Sequence, residues 1–283
     1  MSGPLRAGIL GDPVAHSRSP LIHGHWLSRH QIDGTYERLH VPADGFADYV
    51  RQLVDAGYVG ANVTVPHKQA AHDLADSLDP LAERLGAVNT LVFREGLIHG
   101  ANTDGAGFVA SLEQQAPGWS ADRPVLMLGA GGAARAILGA LADCGVREIR
   151  IANRTPGKVD ALTPVAAGTP AVLAEVAWAD REGACADVGL LVNTTSLGMQ
   201  GAPGLDMSLT GLDGACVVAD IVYAPLETPL LAAARDRGLP VVDGLGMLLH
   251  QAVPGFEAWF GVRPQVTQGL RDVVVRDLTG GVG

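Results

Sequence analysis

Charged residues, aromatics and cysteines are all scarce in this chain, and each scarcity removes a class of protein. Cys144, Cys185 and Cys216 are odd in number, far apart and without paired spacing, so neither a disulfide framework nor a zinc site is indicated and a reducing compartment fits. No run of lysine or arginine offsets a formal charge of −10, which repels a polymer of phosphates; nucleic acid is not expected as a partner. The longest uncharged stretches are broken by Asn, Thr, Pro and Gly, and Met1 to Gly11 carries too little apolar sequence for a signal peptide. No membrane partner is therefore expected, and the protein is read as cytoplasmic. What is abundant is Ala, Gly and Val: 47% of the 283 residues are hydrophobic against 18% charged, enough for two domains with sizeable cores.

Short apolar runs alternate with helix-like runs along the first part. Arg6 to Leu10, Tyr36 to Val41 and Gly60 to Val65 read as strands, with helices at Pro20 to Arg29, Phe46 to Ala56, Lys68 to Ala75 and Pro80 to Leu85. Val88 to Phe93 and Leu97 to His99 read as a hairpin around Arg94-Glu95-Gly96. A second series begins at Val125 to Leu128 and continues through Glu148 to Ala152, Val188 to Asn193, Cys216 to Val222 and Pro240 to Val242, the repeat of a doubly wound nucleotide domain. The fold class is α/β with two domains. Residues 1–104, completed by helices within 247–283, form an α/β domain with a mainly parallel sheet; residues 105–246 form a Rossmann-like domain. Pro254, inside the last helical pattern, is expected to kink it or to leave a carbonyl near His250 unpaired.

Gly129-Ala130-Gly131-Gly132-Ala133-Ala134 follows an apolar strand and opens a helix. In the form G-x-G-x-x-A, such a turn brings backbone close to a pyrophosphate and offers the free N–H groups of a helix start to its charge. A glycine-rich turn is also an ordinary connection, so context decides. At the end of the second strand, where an NAD-binding domain places a carboxylate for the ribose, stand Asn153, Arg154 and Thr155, with Lys158 just beyond. An acid there repels a 2′-phosphate, whereas Arg154 and Lys158 pair with it, so NADP is the expected cofactor.

Near the N-terminus, Ser17 and Ser19 flank Arg18 ahead of Pro20. Ser19 before proline is a helix N-cap signature, and two hydroxyls at a helix start also make a seat for a small carboxylate. Asn62 and Thr64 alternate on one face of a strand ending at Pro66, Lys68 begins the next helix, and Asp104 begins another. Lys68 and Asp104 form a candidate proton-transfer pair; an acid/base pair beside a hydride carrier is a dehydrogenase. No metal site is expected.

Taken together, Gly-Asp-Pro-Val-Ala-His-Ser-Arg-Ser-Pro at 11–20, Asn-Val-Thr-Val-Pro-His-Lys at 62–68, Gly-Ala-Val-Asn-Thr at 86–90, Asn-Thr-Asp-Gly at 102–105 and Gly-Ala-Gly-Gly-Ala at 129–133 resemble the shikimate dehydrogenase family. Asn-Arg-Thr at 153–155, Asn-Thr-Thr-Ser-Leu-Gly-Met at 193–199, Asp-Ile-Val-Tyr at 220–223 and Gly-Leu-Gly-Met-Leu-Leu-His-Gln at 244–251 extend the likeness over nearly the whole chain. The resemblance implies NADPH-dependent reduction of 3-dehydroshikimate to shikimate, with the active site in the cleft between two domains. It implies that Ser17 and Ser19 hold the substrate carboxylate, that Thr64, Asn89, Asp104 and Gln251 hold its hydroxyls with Tyr223 nearby, and that Lys68 is the acid/base group. By the same likeness Gly129, Ala130, Gly131, Gly132 and Ala133 cradle the pyrophosphate, Asn153, Arg154, Thr155 and Lys158 the adenosine phosphate, and Ile221, Gly244 and Met247 border the nicotinamide. His67 stands where the family often has Phe, and Gly24 where Asn or Gln is common. An NAD-using quinate/shikimate dehydrogenase, an aminoshikimate enzyme and a non-catalytic NADP-binding regulatory homologue are the alternatives. A homodimer is neither required nor excluded by the sequence.

Overall fold

The computed structural model describes residues 3–280. By its contacts the chain divides into one unit running to Thr103 and resuming at Gln251, and a second of Asp104–His250. In the first, β1 (Leu5–Gly11), α1 (Ser19–Arg29), β2 (Gly34–His40), α2 (Phe46–Asp55), β3 (Gly60–Val63), α3 (Lys68–Leu74), β4 (Ser77–Leu78), α4 (Pro80–Leu85), β5 (Thr90–Arg94) and β6 (Leu97–Ala101) follow one another. The sheet order is β2-β1-β3-β5-β6-β4, and only β5 runs against its neighbours. β1 and β3 lie inside this sheet. From Ala7 to Gly11 and from Gly60 to Val63 every residue is buried, as both faces of an interior strand require.

That topology brings the candidate residues to one edge. The loops leaving β1 and β3 are tied together by Thr64 N–H to Leu10 O (2.9 Å) and Asp12 N–H to Val65 O (3.1 Å). Thr90, which starts the reversed strand β5, lies opposite Asn62 and Ala101.

The second unit contains α5 (Asp104–Gln115), β7 (Val125–Leu128), α6 (Gly132–Asp143), β8 (Glu148–Asn153), β9 (Val172–Ala177), β10 (Leu190–Asn193), β11 (Val217–Asp220), α7 (Pro229–Asp236), β12 (Val241–Val242) and α8 (Gly244–His250). All its pairs are parallel, in the order β12-β11-β10-β7-β8-β9. Chain order reverses between β7 and β10, which is where doubly wound sheets bind dinucleotides, outside the carboxyl ends of the strands. β9 has no counterpart in the sequence reading. It is an edge strand whose residues are all partly or fully exposed, so Val-Leu-Ala-Glu-Val-Ala shows neither a buried run nor a clean alternation.

The chain then returns to the first unit with α9 (Ala252–Phe260) and α10 (Gln268–Leu278). Here four of the scarce aromatics collect: Trp26, Phe256, Trp259 and Phe260 are each at most 6% exposed, and Trp259 Nε1 donates to Leu91 O at 2.9 Å. The units divide one residue before and four residues after the expected boundaries. α5 and α8 pack so closely that a Cβ on Gly246 would overlap Ser111, and Gln115 Nε2 reaches Asp243 O (3.4 Å), which keeps residues 247–250 in the second unit. Pro254 causes no kink in a continuous helix. The helical run breaks at Gln251 instead, which places Pro254 in the first turn of α9, where the missing N–H has no partner to lose.

Candidate active site

Ser17 and Ser19 lead into α1, but Ser19 is not its N-cap. Arg18 occupies that position without a side-chain capping bond, and Ser19 is the first helical residue. Ser17 Oγ accepts from Ser19 N–H (3.3 Å), and the two hydroxyls lie 3.2 Å apart. The loop is fixed from below by Arg38, whose Nε and Nη2 both donate to Ser17 O at 3.0 and 2.6 Å. Two adjacent hydroxyls on a braced turn can accept a carboxylate.

From Tyr36 a buried polar chain crosses the sheet. Tyr36 Oη donates to Asn62 Oδ1 (2.6 Å), while the Asn62 amide donates to Asn89 O (3.2 Å) and to Thr90 Oγ1 (3.1 Å). Thr90 Oγ1 donates to Asn89 Oδ1 (3.0 Å), which also accepts from Thr103 N–H (2.9 Å); Thr103 Oγ1 then donates to Gln251 O (2.8 Å). Asn62 and Asn89 are only 4% and 3% exposed. Both amide hydrogens of Asn62 are engaged within the protein, so what it can offer a ligand is a remaining lone pair, and its main effect is to hold its neighbours. Tyr36, Thr90 and Thr103 were not singled out in the sequence. Thr90 and Thr103 sit inside recognised motifs, and their threonine-beside-asparagine spacing was the available signal.

Tyr36 is itself held by stacking on His23, with ring centroids 4.0 Å apart and 7° between planes. His23 is wholly buried; desolvation, only partly opposed by the Asn62 amide, pushes its pKa down to about 3, so the ring is neutral. Neither ring nitrogen makes a hydrogen bond of normal geometry.

Lys68 is the first residue of α3 and is half-buried; its backbone carbonyl accepts from Val88 N–H at 2.9 Å. His67 beside it is packed, 2% exposed, stacked on Phe46 at 4.6 Å, with Nε2 donating to Val41 O at 2.6 Å. It fills space in the core. Thr64 closes on Gly11, where any Cβ would overlap its methyl group. Ser17, Ser19, Asn62, Thr64, Lys68, Asn89 and Gln251 thus belong to one unit, whereas Asp104, Tyr223 and all the cofactor residues belong to the other.

In the second unit, Gly129 ends β7 with φ +103°, and its N–H donates to Ala152 O (2.8 Å); a Cβ there would come within 2.9 Å of Thr194 Oγ1. Glycine is required at that position by both conformation and space. Gly131 precedes α6 with no side chain capping the helix, and a Cβ on Gly131 or Gly132 meets nothing within 4 Å. A bare glycine ledge before an uncapped helix start fits a pyrophosphate. Arg154, Thr155 and Lys158 follow the end of β8 and are exposed; Asn153 Nδ2 donates to Thr155 O (2.9 Å) and shapes the turn. No carboxylate lies between Asn153 and Lys158, so the donor set suits a cofactor carrying an extra phosphate.

Ile221 and Tyr223 leave the end of β11 half-buried. Ile221 N–H donates to Asn193 O (3.1 Å), and a Cβ on Gly244 would overlap Ile221 O, so Ile221 and Gly244 are in contact; Met247 lies one turn along α8. Among the described residues no group of His, Cys, Asp or Glu could hold a metal ion, and no helix is long and apolar enough to cross a membrane.

Comparison with known proteins places this arrangement. Residues 9–91 match the model of the shikimate dehydrogenase substrate binding domain, and residues 244–271 that of the shikimate 5′-dehydrogenase C-terminal domain. The chain is 58% identical to the shikimate dehydrogenase (NADP(+)) of Methylobacterium radiotolerans over 97% of its own length and 98% of the relative's. Among solved structures it is similar to shikimate 5-dehydrogenase from Thermus thermophilus in complex with NADP(H) and shikimate (34% identity, TM-score 0.83, 96% and 99% of the two chains covered). It is also similar to quinate dehydrogenase from Corynebacterium glutamicum in complex with NAD (32% identity, TM-score 0.89, 97% and 99% covered). With a glycine turn and exposed cations on one unit, a pair of hydroxyls and an amide network on the other, and NADP(+)-dependent shikimate dehydrogenases as relatives at 53–58% identity over nearly the full length, the chain belongs to the shikimate dehydrogenase family.

Proposed function

We propose that this protein catalyses the reversible NADPH-dependent reduction of 3-dehydroshikimate to shikimate. The observation that carries the proposal is the buried network from Tyr36 through Asn62, Asn89 and Thr103 to Gln251, in a chain alike over its full length to NADP(+)-dependent shikimate dehydrogenases. A network whose members are already bonded to one another presents its remaining polar atoms in fixed directions, which suits a small ring bearing several hydroxyls.

Ser17 and Ser19 receive the carboxylate, Thr64, Asn89 and Gln251 face the ring hydroxyls, and Asp104 and Tyr223 are further candidate contacts of the substrate. NADPH supplies the hydride when bound, held by the 129–133 turn and by Arg154, Thr155 and Lys158. As negative charge grows on the carbonyl oxygen, the Lys68 ammonium stabilises it and delivers a proton; in the reverse direction the neutral amine takes that proton back. Asp104 accepts a hydrogen bond from the same substrate hydroxyl and orients it. The unpaired spacing of the three cysteines supports a reducing, cytoplasmic setting.

Oxidation of shikimate and of quinate, each with NADP and with NAD, followed at the nicotinamide absorbance, tests the reading. Turnover dominated by shikimate with NADP is expected. Equal rates with quinate or NAD would move the protein to the quinate/shikimate enzymes, and none in any pair to a regulatory homologue.

A further inference from the structure

Asp220 is a carboxylate for which the reaction above has no use, and it lies at the end of β11, 2% exposed. Its Oδ1 accepts from Asn193 Nδ2 (3.0 Å) and from Val222 N–H (3.0 Å), and its Oδ2 from Thr228 Oγ1 (2.7 Å). Each donor belongs to a different segment. Asn193 is its partner in the register of the neighbouring strand β10, Val222 lies between Ile221 and Tyr223, and Thr228 caps α7 by accepting from Leu231 N–H (3.3 Å).

Asn193 extends the system. Its Oδ1 accepts from Thr195 N–H (3.0 Å) and Oγ1 (2.7 Å), and its Nδ2 also donates to Leu197 O (3.1 Å). The loops after β10 and β11 are joined again by Gln200 N–H to Ala224 O (2.8 Å). No cation lies among Asp220's bonded partners, and burial raises its pKa above the usual carboxylate range. Carrying a carboxylate there is costly. What it offers that an apolar side chain does not is polar bonding at both ends of its head group, so that three segments converge on one side chain.

We infer that Asp220 is a positioning residue for hydride transfer: through Asn193, Val222 and Thr228 it fixes the Ile221–Tyr223 segment, without touching substrate or cofactor. This rests on the function proposed above. Ile221 is also pinned by Asn193 O on one side and by contact with Gly244 on the other, so releasing Val222 frees the middle of the segment.

The test compares wild type, Asp220→Ala, Asp220→Asn and Thr228→Val, with 3-dehydroshikimate and NADPH. Asp220→Ala is expected to lower kcat at least about tenfold, short of the hundredfold that a misplacement of about 1 Å can cause. Its NADPH Kd, measured by cofactor fluorescence, stays within about threefold of wild type, because the phosphates are held elsewhere; that split follows from the placement argument. With NADPH deuterated at the transferred position, the isotope effect on kcat rises as the chemical step becomes limiting. Asp220→Asn keeps the two bonds at Oδ1 and reverses the third, and recovers at least a third of wild-type kcat, an expectation resting on amide acceptor geometry. Thr228→Val withdraws one donor and slows kcat a few-fold; it carries the test if Asp220→Ala does not fold. A variant with wild-type kcat per folded molecule and only a lower melting temperature would overturn the inference, as would an Asp220→Asn enzyme as slow as Asp220→Ala. A wild-type enzyme inactive on these substrates would instead overturn the proposed function.

Discussion

Ser19, Asn62 and Asn89 in the first unit are at most 4% exposed, and the two asparagines are held by a chain of side-chain bonds, whereas Gly131, Gly132 and Arg154 in the second are exposed, bare backbone and a cation at the surface. A small polar ring is told from its relatives by the direction of each donor and acceptor, and that requires side chains locked by neighbours. A dinucleotide is long and charged; backbone N–H groups and a cation suffice to hold it, and its specificity resides in one phosphate. Substitutions in the first unit should therefore disturb rate and folding together, and those on the second unit's ledge should disturb affinity alone.

The sharpest way to break this contrast is Lys68→Ala. It is expected to lower kcat at least about a hundredfold with NADPH affinity unchanged, the scale of lost acid/base help; near-normal turnover would remove Lys68 from the chemistry. Arg154→Gln should weaken NADPH binding about tenfold, as loss of one charge-assisted bond implies, while leaving NADH binding and the KM for shikimate untouched. Equal effects on both cofactors would mean that Arg154 does not read the 2′-phosphate. Thr90→Val removes both the donor to Asn89 and the acceptor for Asn62. Stability should fall by about 1–3 kcal/mol in urea unfolding, since buried polar groups lose their partners, and the KM for shikimate should rise with it.

An effect that appears only on acidification concerns His23. Its pKa falls from 6.5 to about 3 on burial, so the folded state binds its proton more weakly than the unfolded chain. Its contribution is fully present above pH 6.5 and is lost as pH falls toward 3, at up to about 1.4 kcal/mol per pH unit. Unfolding of wild type and His23→Phe across pH 7 to 4 should show the wild type losing stability the more steeply; parallel curves would mean that burial does not lower the pKa of His23.

How much of this could be read in advance differs between the units for the same physical reason. The glycine turn at 129–133 and the cations at 154 and 158 can be proposed from sequence because the argument for them needs only local backbone and charge, within thirty residues of one another. The motifs at 62–68 and 102–105 delimit candidate stretches, but the partners that hold each asparagine depend on the reversed strand β5, a tertiary fact. Tyr36 was out of reach because its role is set by His23 and Asn62, distant in sequence. Ser19 as an N-cap and Pro254 as a kink were both reasonable local rules, displaced by one or two residues of helix phase. β9 is apolar at five of its six positions, but none of them is fully buried at this exposed edge, so the segment carries no period-2 alternation to mark it as a strand.

The return of α9 and α10 to the first unit has a consequence for how the protein is made. Trp259 closes on Gly60, where any Cβ would overlap its indole, and bonds to Leu91 O, so the middle of the first sheet lacks its cover until that tryptophan has been synthesised. The 104–250 unit is contiguous and can fold on the ribosome first, while the half that begins the chain waits some 160 residues for its last helices. During translation, exposure to proteases and chaperones should therefore concentrate on the N-terminal sheet.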